Sequence, residues 1–247
     1  MPWDFWLIFF VLGVVLPWRG RLRLKKLLAV PAISARERLA LYASTTAFQW
    51  LAASAVAWRV WARGLTRDEL GLVVHGPSRI LIAAIVGAAT LGALQWLNLR
   101  RMGRMERSSS KAREFMQTLA ERILPQSRSE LLPYLALAIT AGICEEFLYR
   151  GFAMAALSRA ALPVWVVVLI SAALFGLAHL YQGRGGLVST LVIGVVFGAA
   201  RIAYDGLLPV MVWHFAVDAV AGVAGPRYFV GTGKVAGSPE FSTVPEK

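Results

Sequence analysis

Leu131-Leu132-Pro133-Tyr134-Leu135-Ala136-Leu137-Ala138-Ile139-Thr140-Ala141-Gly142-Ile143-Cys144-Glu145-Glu146-Phe147-Leu148-Tyr149-Arg150 is an apolar run that ends in two adjacent carboxylates and a guanidinium. An unpaired charge in such surroundings is costly, so charged residues kept there have a task or a partner. On a helix Glu146 and Arg150 are four apart and share a face, while Glu145 points about 100° away from Glu146. Arg150 is therefore placed to neutralise Glu146, and Glu145 is left free for chemistry. Gly142 and Ala141, three and four residues before Glu145, are small enough to let another helix approach on its face.

The rest of the chain fits a membrane setting for this run. Of 247 residues, 57% are hydrophobic and 16% charged, too little polar surface for a soluble domain of this length. The formal net charge of +12 raises nucleic-acid binding. The Arg and Lys residues cluster between apolar runs instead of forming a stripe with interleaved aromatics, so they read as topological charge, and no nucleic-acid partner is expected. Cys144 is the single cysteine, which excludes an intramolecular disulfide. Its apolar surroundings and two acidic neighbours oppose thiolate formation, so it reads as a small buried side chain. The first 18 residues lack the basic start and small-residue cleavage site of a signal peptide and read as a retained membrane segment.

Apolar segments at 3–18, 39–61, 80–97, 131–149, 151–162, 164–181, 187–202 and 207–223 predict an all-α fold, a polytopic transmembrane helical bundle of about eight membrane segments. Several are short of a full crossing. Pro163 separates the fifth from the sixth by removing a backbone donor. Trp3, Trp18, Trp61, Tyr149, Tyr181 and Tyr204 near segment ends suit an interfacial belt. The connections at 19–38 and 98–130 are strongly basic, which puts them in the cytoplasm and Met1 outside. Glu145 then lies about 20 Å from the inner end of its segment, towards the outer half, unless the short first segment fails to cross and reverses the parity. Within 98–130, Ser108-Ser109-Ser110 reads as a helix start. Phe115, Met116, Leu119, Ile123 and Leu124 follow at helical spacing among charges, as in an amphipathic helix on the membrane surface. The organisation expected is N-terminal membrane segments with basic connections over 1–123, a membrane core over 124–224, and a disordered tail over 225–247.

Two of the three histidines lie inside apolar segments: His179, and His214 with Asp218 four residues later on the same helix face. The third, His75, precedes Gly76-Pro77 and reads as a turn residue. Arg59, Arg159 and Arg201 lie near segment ends, where they can snorkel to the interface. Glu145, Glu146, Arg150, His179, His214 and Asp218 thus hold most of the charge inside the C-terminal apolar half, and such groups face one another or a wet cavity. Three chemistries suit them. Glu145 can activate a water against a carbonyl whose oxyanion an imidazole holds. Glu145 with His179 and His214 can form a catalytic zinc sphere, although the His-Glu-x-x-His spacing is missing. The cluster can also relay protons.

Glu145-Glu146-x-x-x-Arg150, Phe175-x-x-x-His179 and His214-x-x-x-Asp218, in this order on successive apolar segments, resemble the three motifs of the CAAX prenyl protease and bacteriocin-processing membrane peptidases, also called the Abi family. The flanks agree: Leu124-Pro125 with Glu130 before the first motif, Gly151 after it, and Leu180-Tyr181-Gln182-Gly183 after the second. The resemblance implies a catalytic membrane core over 124–224 and a glutamate-dependent intramembrane endopeptidase of a membrane-associated protein or peptide, embedded in the lipid bilayer of a cell membrane as a multi-pass protein. It implies Glu145 as the base that activates water, with His179 sharing that task, and His214 and Asp218 positioning the water or the oxyanion. Glu146 and Arg150 are supporting. Asp218 stands where eukaryotic relatives carry Asn, and an ionised Asp cannot donate to an oxyanion, which assigns it to orienting His214. No cofactor is expected, zinc being the alternative. Oligomeric state and substrate are not legible. The rival readings are a non-catalytic scaffold or immunity protein and a proton-coupled transporter, the latter disfavoured by the lack of an internal repeat.

Overall fold

Long apolar runs without a backbone donor to spare satisfy their own hydrogen bonds as helices, and the computed structural model of residues 1–104 and 111–229 is helical, with no strand among the described residues. The helices are α1 (Trp3–Ala29), α2 (Ala35–Ala62), α3 (Pro77–Arg104), α4 (Lys111–Ile123), α5 (Arg128–Arg159), α6 (Val164–Ala178), α7 (Gly183–Tyr204), α8 (Leu208–Ala224) and α9 (Pro226–Phe229). Four are long and apolar enough to cross a membrane: α1, α3, α5 and α7, the last counted from the short 3-10 turn Leu180–Gln182.

The expectation of eight membrane segments needs correction. Residues 131–149 and 151–162 are not two segments but parts of α5, which is 32 residues long. Gly151 does not interrupt it, because the helix passes through a π-helical stretch, Phe147–Ala153, that keeps the backbone bonded. The break comes at the end of α5, where Ala161 turns left-handed at φ 57 before Pro163. The first connection also differs: α1 continues through a π-helical stretch (Val11–Val15) to Ala29, so Arg19 to Lys26 lie on its last turns and not in a loop. At 27 residues, or about 40 Å, it is not a short segment.

Paired contacts fix the directions. Arg59 bonds Asp4 and Arg23 bonds Thr45, so α1 and α2 are antiparallel. Arg38 with Glu130, Gln49 with Glu145 and Arg159 with the Gly64 carbonyl set α2 parallel to α5. The Arg38–Glu130 pair is bidentate at 2.6 and 3.0 Å and buried on both sides. A capping box of Ser34 and Glu37 starts α2 just before it. Helix α8 lies between α3 and α5: Trp213 donates to the Ala83 carbonyl, and a Cβ on Gly142 would sit 2.8 Å from the Met211 carbonyl oxygen. Gly142 thus admits the helix that its sequence context anticipates.

The far end of the bundle holds the chain start, residues 63–79 and the end of α7. Arg201, read as an interfacial snorkel, is instead buried there, donating to the Asp68 and Glu69 carbonyls and pairing with Asp205. Arg159 forks onto Glu69, and His75 bonds Asp68. The basic end holds the end of α1, the start of α2, and α4, which Arg122 ties to the Leu27 and Pro31 carbonyls. The expected helix start at 108–110 lies outside the described residues. So does the expected tail from 230 onward, while α9 ends in Phe229, buried against Leu99 and Leu124.

Candidate active site

Helices α6 and α8 have 15 and 17 residues, short of the roughly 20 a crossing takes. The α6–α7 connection turns back against α1, and irregular backbone in such a setting needs protein or a wet cavity beside it. His179 is the residue at that turn, following Ala178, and Gly183 takes φ 78 to restart the chain as α7. Tyr181 of the same turn packs on Gly20 of α1. The fold thus brings His179 to the level of Glu145 in mid-α5 and His214 in α8.

Glu146 and Arg150 are fully buried and pair at 3.0 Å. The guanidinium also donates to the Gly194 carbonyl and lies 4.3 Å over the Phe175 ring. The Glu146 oxygen that receives Arg150 also receives His214 Nδ1, at 2.7 Å. A carboxylate only accepts, so Nδ1 carries the proton and Nε2 is turned outward. Asp218 lies 3.7 Å from Nε2, beyond hydrogen-bond distance. The short contact that orients His214 is with Glu146, not with Asp218.

Glu145 has a different environment. One carboxylate oxygen accepts from Gln49 Nε2 at 2.6 Å. The other, Oε2, is buried with no partner among the described residues and faces His179 Nε2 at 3.9 Å. His179 Nδ1 is 2.8 Å from the Phe175 carbonyl. A carbonyl cannot donate, so Nδ1 holds the proton, and in the neutral tautomer Nε2 presents its lone pair to Glu145. Two acceptors therefore face each other across a gap too long for a direct bond. A water held about 2.8 Å from each would bridge such a gap by donating one hydrogen to each. Phe175 lies between the two imidazoles, its ring centre 4.5 Å from His179 and 5.8 Å from His214.

Glu145 and His179 open onto a cavity of about 260 Å³ bounded by α1, α2, α4, α5 and the turn after α6. Its walls are mostly apolar, leucine being the most frequent residue, with Arg19 and Arg23 of α1 among them. All six residues singled out from sequence thus converge, in two layers: Glu145 with His179 on the cavity, and Glu146, Arg150 and His214 behind, with Asp218 beside them. Gln49 was missed. Its signal was an amide inside an otherwise apolar segment. Among the described residues, the group whose His and carboxylate ligating atoms gather within 4.8 Å is Asp68, His75 and Asp205, exposed at the far end; Glu145, His179 and His214 are not so gathered.

The site and its setting define a class: an all-helical bundle with helices apolar enough to cross a membrane, enclosing paired carboxylates and imidazoles on a cavity. Residues 127–220 match the family model of type II CAAX prenyl endopeptidases, Rce1-like, so the chain is similar to the CAAX prenyl proteases over the stretch that carries the three motifs. That similarity implies a membrane-embedded peptidase. No curated protein and no solved structure matches the chain.

Proposed function

We propose that the protein is a multi-pass intramembrane endopeptidase in which Glu145 activates the attacking water. The observation that carries this is the facing pair of Glu145 Oε2 and His179 Nε2, both acceptors, 3.9 Å apart at the end of a cavity. A water held between them keeps both lone pairs exposed to the third direction, that of a substrate carbonyl. As it attacks, Glu145 takes its proton, and His179 orients it through the second hydrogen. The tetrahedral oxyanion needs a donor. His214, when doubly protonated, offers Nε2–H while Nδ1 stays bonded to Glu146. The proton held by Glu145 then passes to the leaving amine, which completes hydrolysis. Glu146 and Arg150 hold the His214 ring, and Gln49 holds the Glu145 carboxylate. Asp218 places a carboxylate 3.7 Å from His214 Nε2.

The matched family's description names CAAX prenyl endopeptidases, and walls formed by Leu16, Leu24, Leu27, Leu41 and Leu119 suit an apolar, lipid-bearing or membrane-associated peptide. The experiment is cleavage of membrane-tethered peptides by the purified protein in liposomes, read by mass spectrometry. Cleavage that survives a chelator and is lost in Glu145→Gln supports the reading. Chelator-sensitive cleavage restored by zinc replaces it with a metal sphere. Cleavage retained in Glu145→Gln overturns it.

A further inference from the structure

Contacts between helices mark one level across the bundle. The Arg19 guanidinium lies 3.5 Å over the ring of Phe48, and the next residue of α2, Gln49, bonds Glu145. From α5 the level passes to α8, where Gly142 meets the Met211 carbonyl, and from Trp213 of α8 to the Ala83 carbonyl of α3. The level of Glu145 therefore meets α1 at Arg19 and α3 near Ile85. The two faces expose opposite chemistry there: Trp18, Arg19 and Arg21 on α1, but Ile82, Ile85 and Val86 on α3. Arg184, which follows the α6–α7 turn, is exposed as well. Guanidinium and indole belong at the headgroup layer, branched aliphatics in hydrocarbon. The stacking on Phe48 holds the Arg19 charge at this level instead of letting it snorkel away.

The lengths of apolar helix agree. Arg79 and Arg100 bracket about 32 Å of α3, a full hydrocarbon thickness. Asp4 and Arg19 bracket about 22 Å of α1, and Arg184 and Arg201 about 26 Å of α7. Helix α6, whose Leu174 packs on Gly13 of α1, has 15 residues, again about 22 Å. Asp4, Arg79 and Arg201 all lie at the far end, where Trp3, Trp61 and Trp165 are exposed as an interfacial belt. The shortfall of about 10 Å therefore falls at the opposite ends of α1, α6 and α7, which is where Glu145 and His179 open onto the cavity. The amphipathic α4 settles over this step, with Phe115 against Gly183, as a helix lying in the headgroup layer does.

Resting on the multi-pass reading above, we propose that the bilayer thins by about 10 Å around α1, α6 and α7, so that phospholipid headgroups stand level with Glu145 on that face while α3 meets hydrocarbon at the same level. Arg19, Arg21 and Arg184 supply the donors for lipid phosphate. Water then reaches the site without crossing hydrocarbon. The test uses the full chain in phosphatidylcholine liposomes, with an NBD fluorophore on Leu22→Cys of α1 or Val86→Cys of α3. Both side chains are exposed, neither lines the cavity, and they lie within about 5 Å of one level. Cys144 is fully buried, and labelling of the parent chain measures any dye it takes. Quenching is compared between lipid carrying a nitroxide on the headgroup and lipid carrying it halfway down an acyl chain. The Val86→Cys label is expected to be quenched mainly from the acyl chain and the Leu22→Cys label mainly from the headgroup, with depths about 10 Å apart. Acyl-chain quenching of both labels to the same depth overturns the proposal, as does a Leu22→Cys label that neither lipid quenches. A Val86→Cys label that neither lipid quenches refutes the multi-pass reading itself.

Discussion

Arg150→Met isolates the buried charge pair at the heart of α5. Methionine keeps most of the stem between Phe175 and Phe197 but removes the cation from Glu146, which is fully buried 3.0 Å away. Breaking a buried pair by deleting one partner costs about 3–5 kcal/mol, because the remaining charge is uncompensated. For a chain of this size each kcal/mol moves the midpoint by roughly 2–4 °C, so thermal unfolding is expected to fall by about 6–20 °C. Cys144 provides the assay: it is the single cysteine and fully buried, so a thiol-reactive dye reports opening of this part of α5. Adding Glu146→Gln to Arg150→Met is expected to recover part of the loss, since both charges are then gone. A shift of Arg150→Met within about 2 °C, or a double variant no better than the single, refutes the claim that the two charges compensate each other across the core.

Gln49→Leu removes the donor to Glu145 and is expected to lower kcat by about 10- to 100-fold, the worth of a charge-assisted bond, in a steady-state assay on any cleaved peptide. Gly142→Val is expected to destabilise the fold by about 1–3 kcal/mol, because even its Cβ would press on the Met211 carbonyl; thermal unfolding measures it. At the far end, the Arg159 hydrogen bonds to Glu69 pull the Glu69 carboxyl from 4.5 down to about 2. A carboxylate whose folded value is depressed contributes stability above its unfolded value and loses it as pH falls through the folded one. The difference in unfolding midpoint between the parent and Glu69→Gln is therefore expected to be flat above about pH 5 and to shrink as pH falls towards 2. A difference independent of pH would contradict the assignment.

The motif residues were legible because charge inside an apolar run is conspicuous: Glu145, Glu146, Arg150, His179, His214 and Asp218 all meet. Their pairing was less so. The four-residue spacing of His214 and Asp218 suggested that Asp218 orients the ring, but Glu146, 68 residues away in sequence, makes the short bond. That contact depends on how α5 and α8 cross, which spacing along one helix does not encode. Arg150 interrupts the apolar run and so divides it into two segments, but α5 continues through that position as a π-helical stretch with the guanidinium buried. Arg201 shows the limit of the snorkelling rule, since a nearby loop supplies carbonyls that bury its charge where lipid could not.

The measurement that bears most directly on the site is the kcat of Glu145→Gln relative to the parent on one cleaved, membrane-tethered peptide, with substrate binding measured alongside. Glutamine keeps the shape of the side chain and its contact with Gln49 but cannot take a proton. A fall of about 10²–10⁴ in kcat with binding little changed is the result expected of a water-activating base. Comparable turnover in the two proteins would contradict the account, and the facing pair of Glu145 and His179 would then not be where the water is activated.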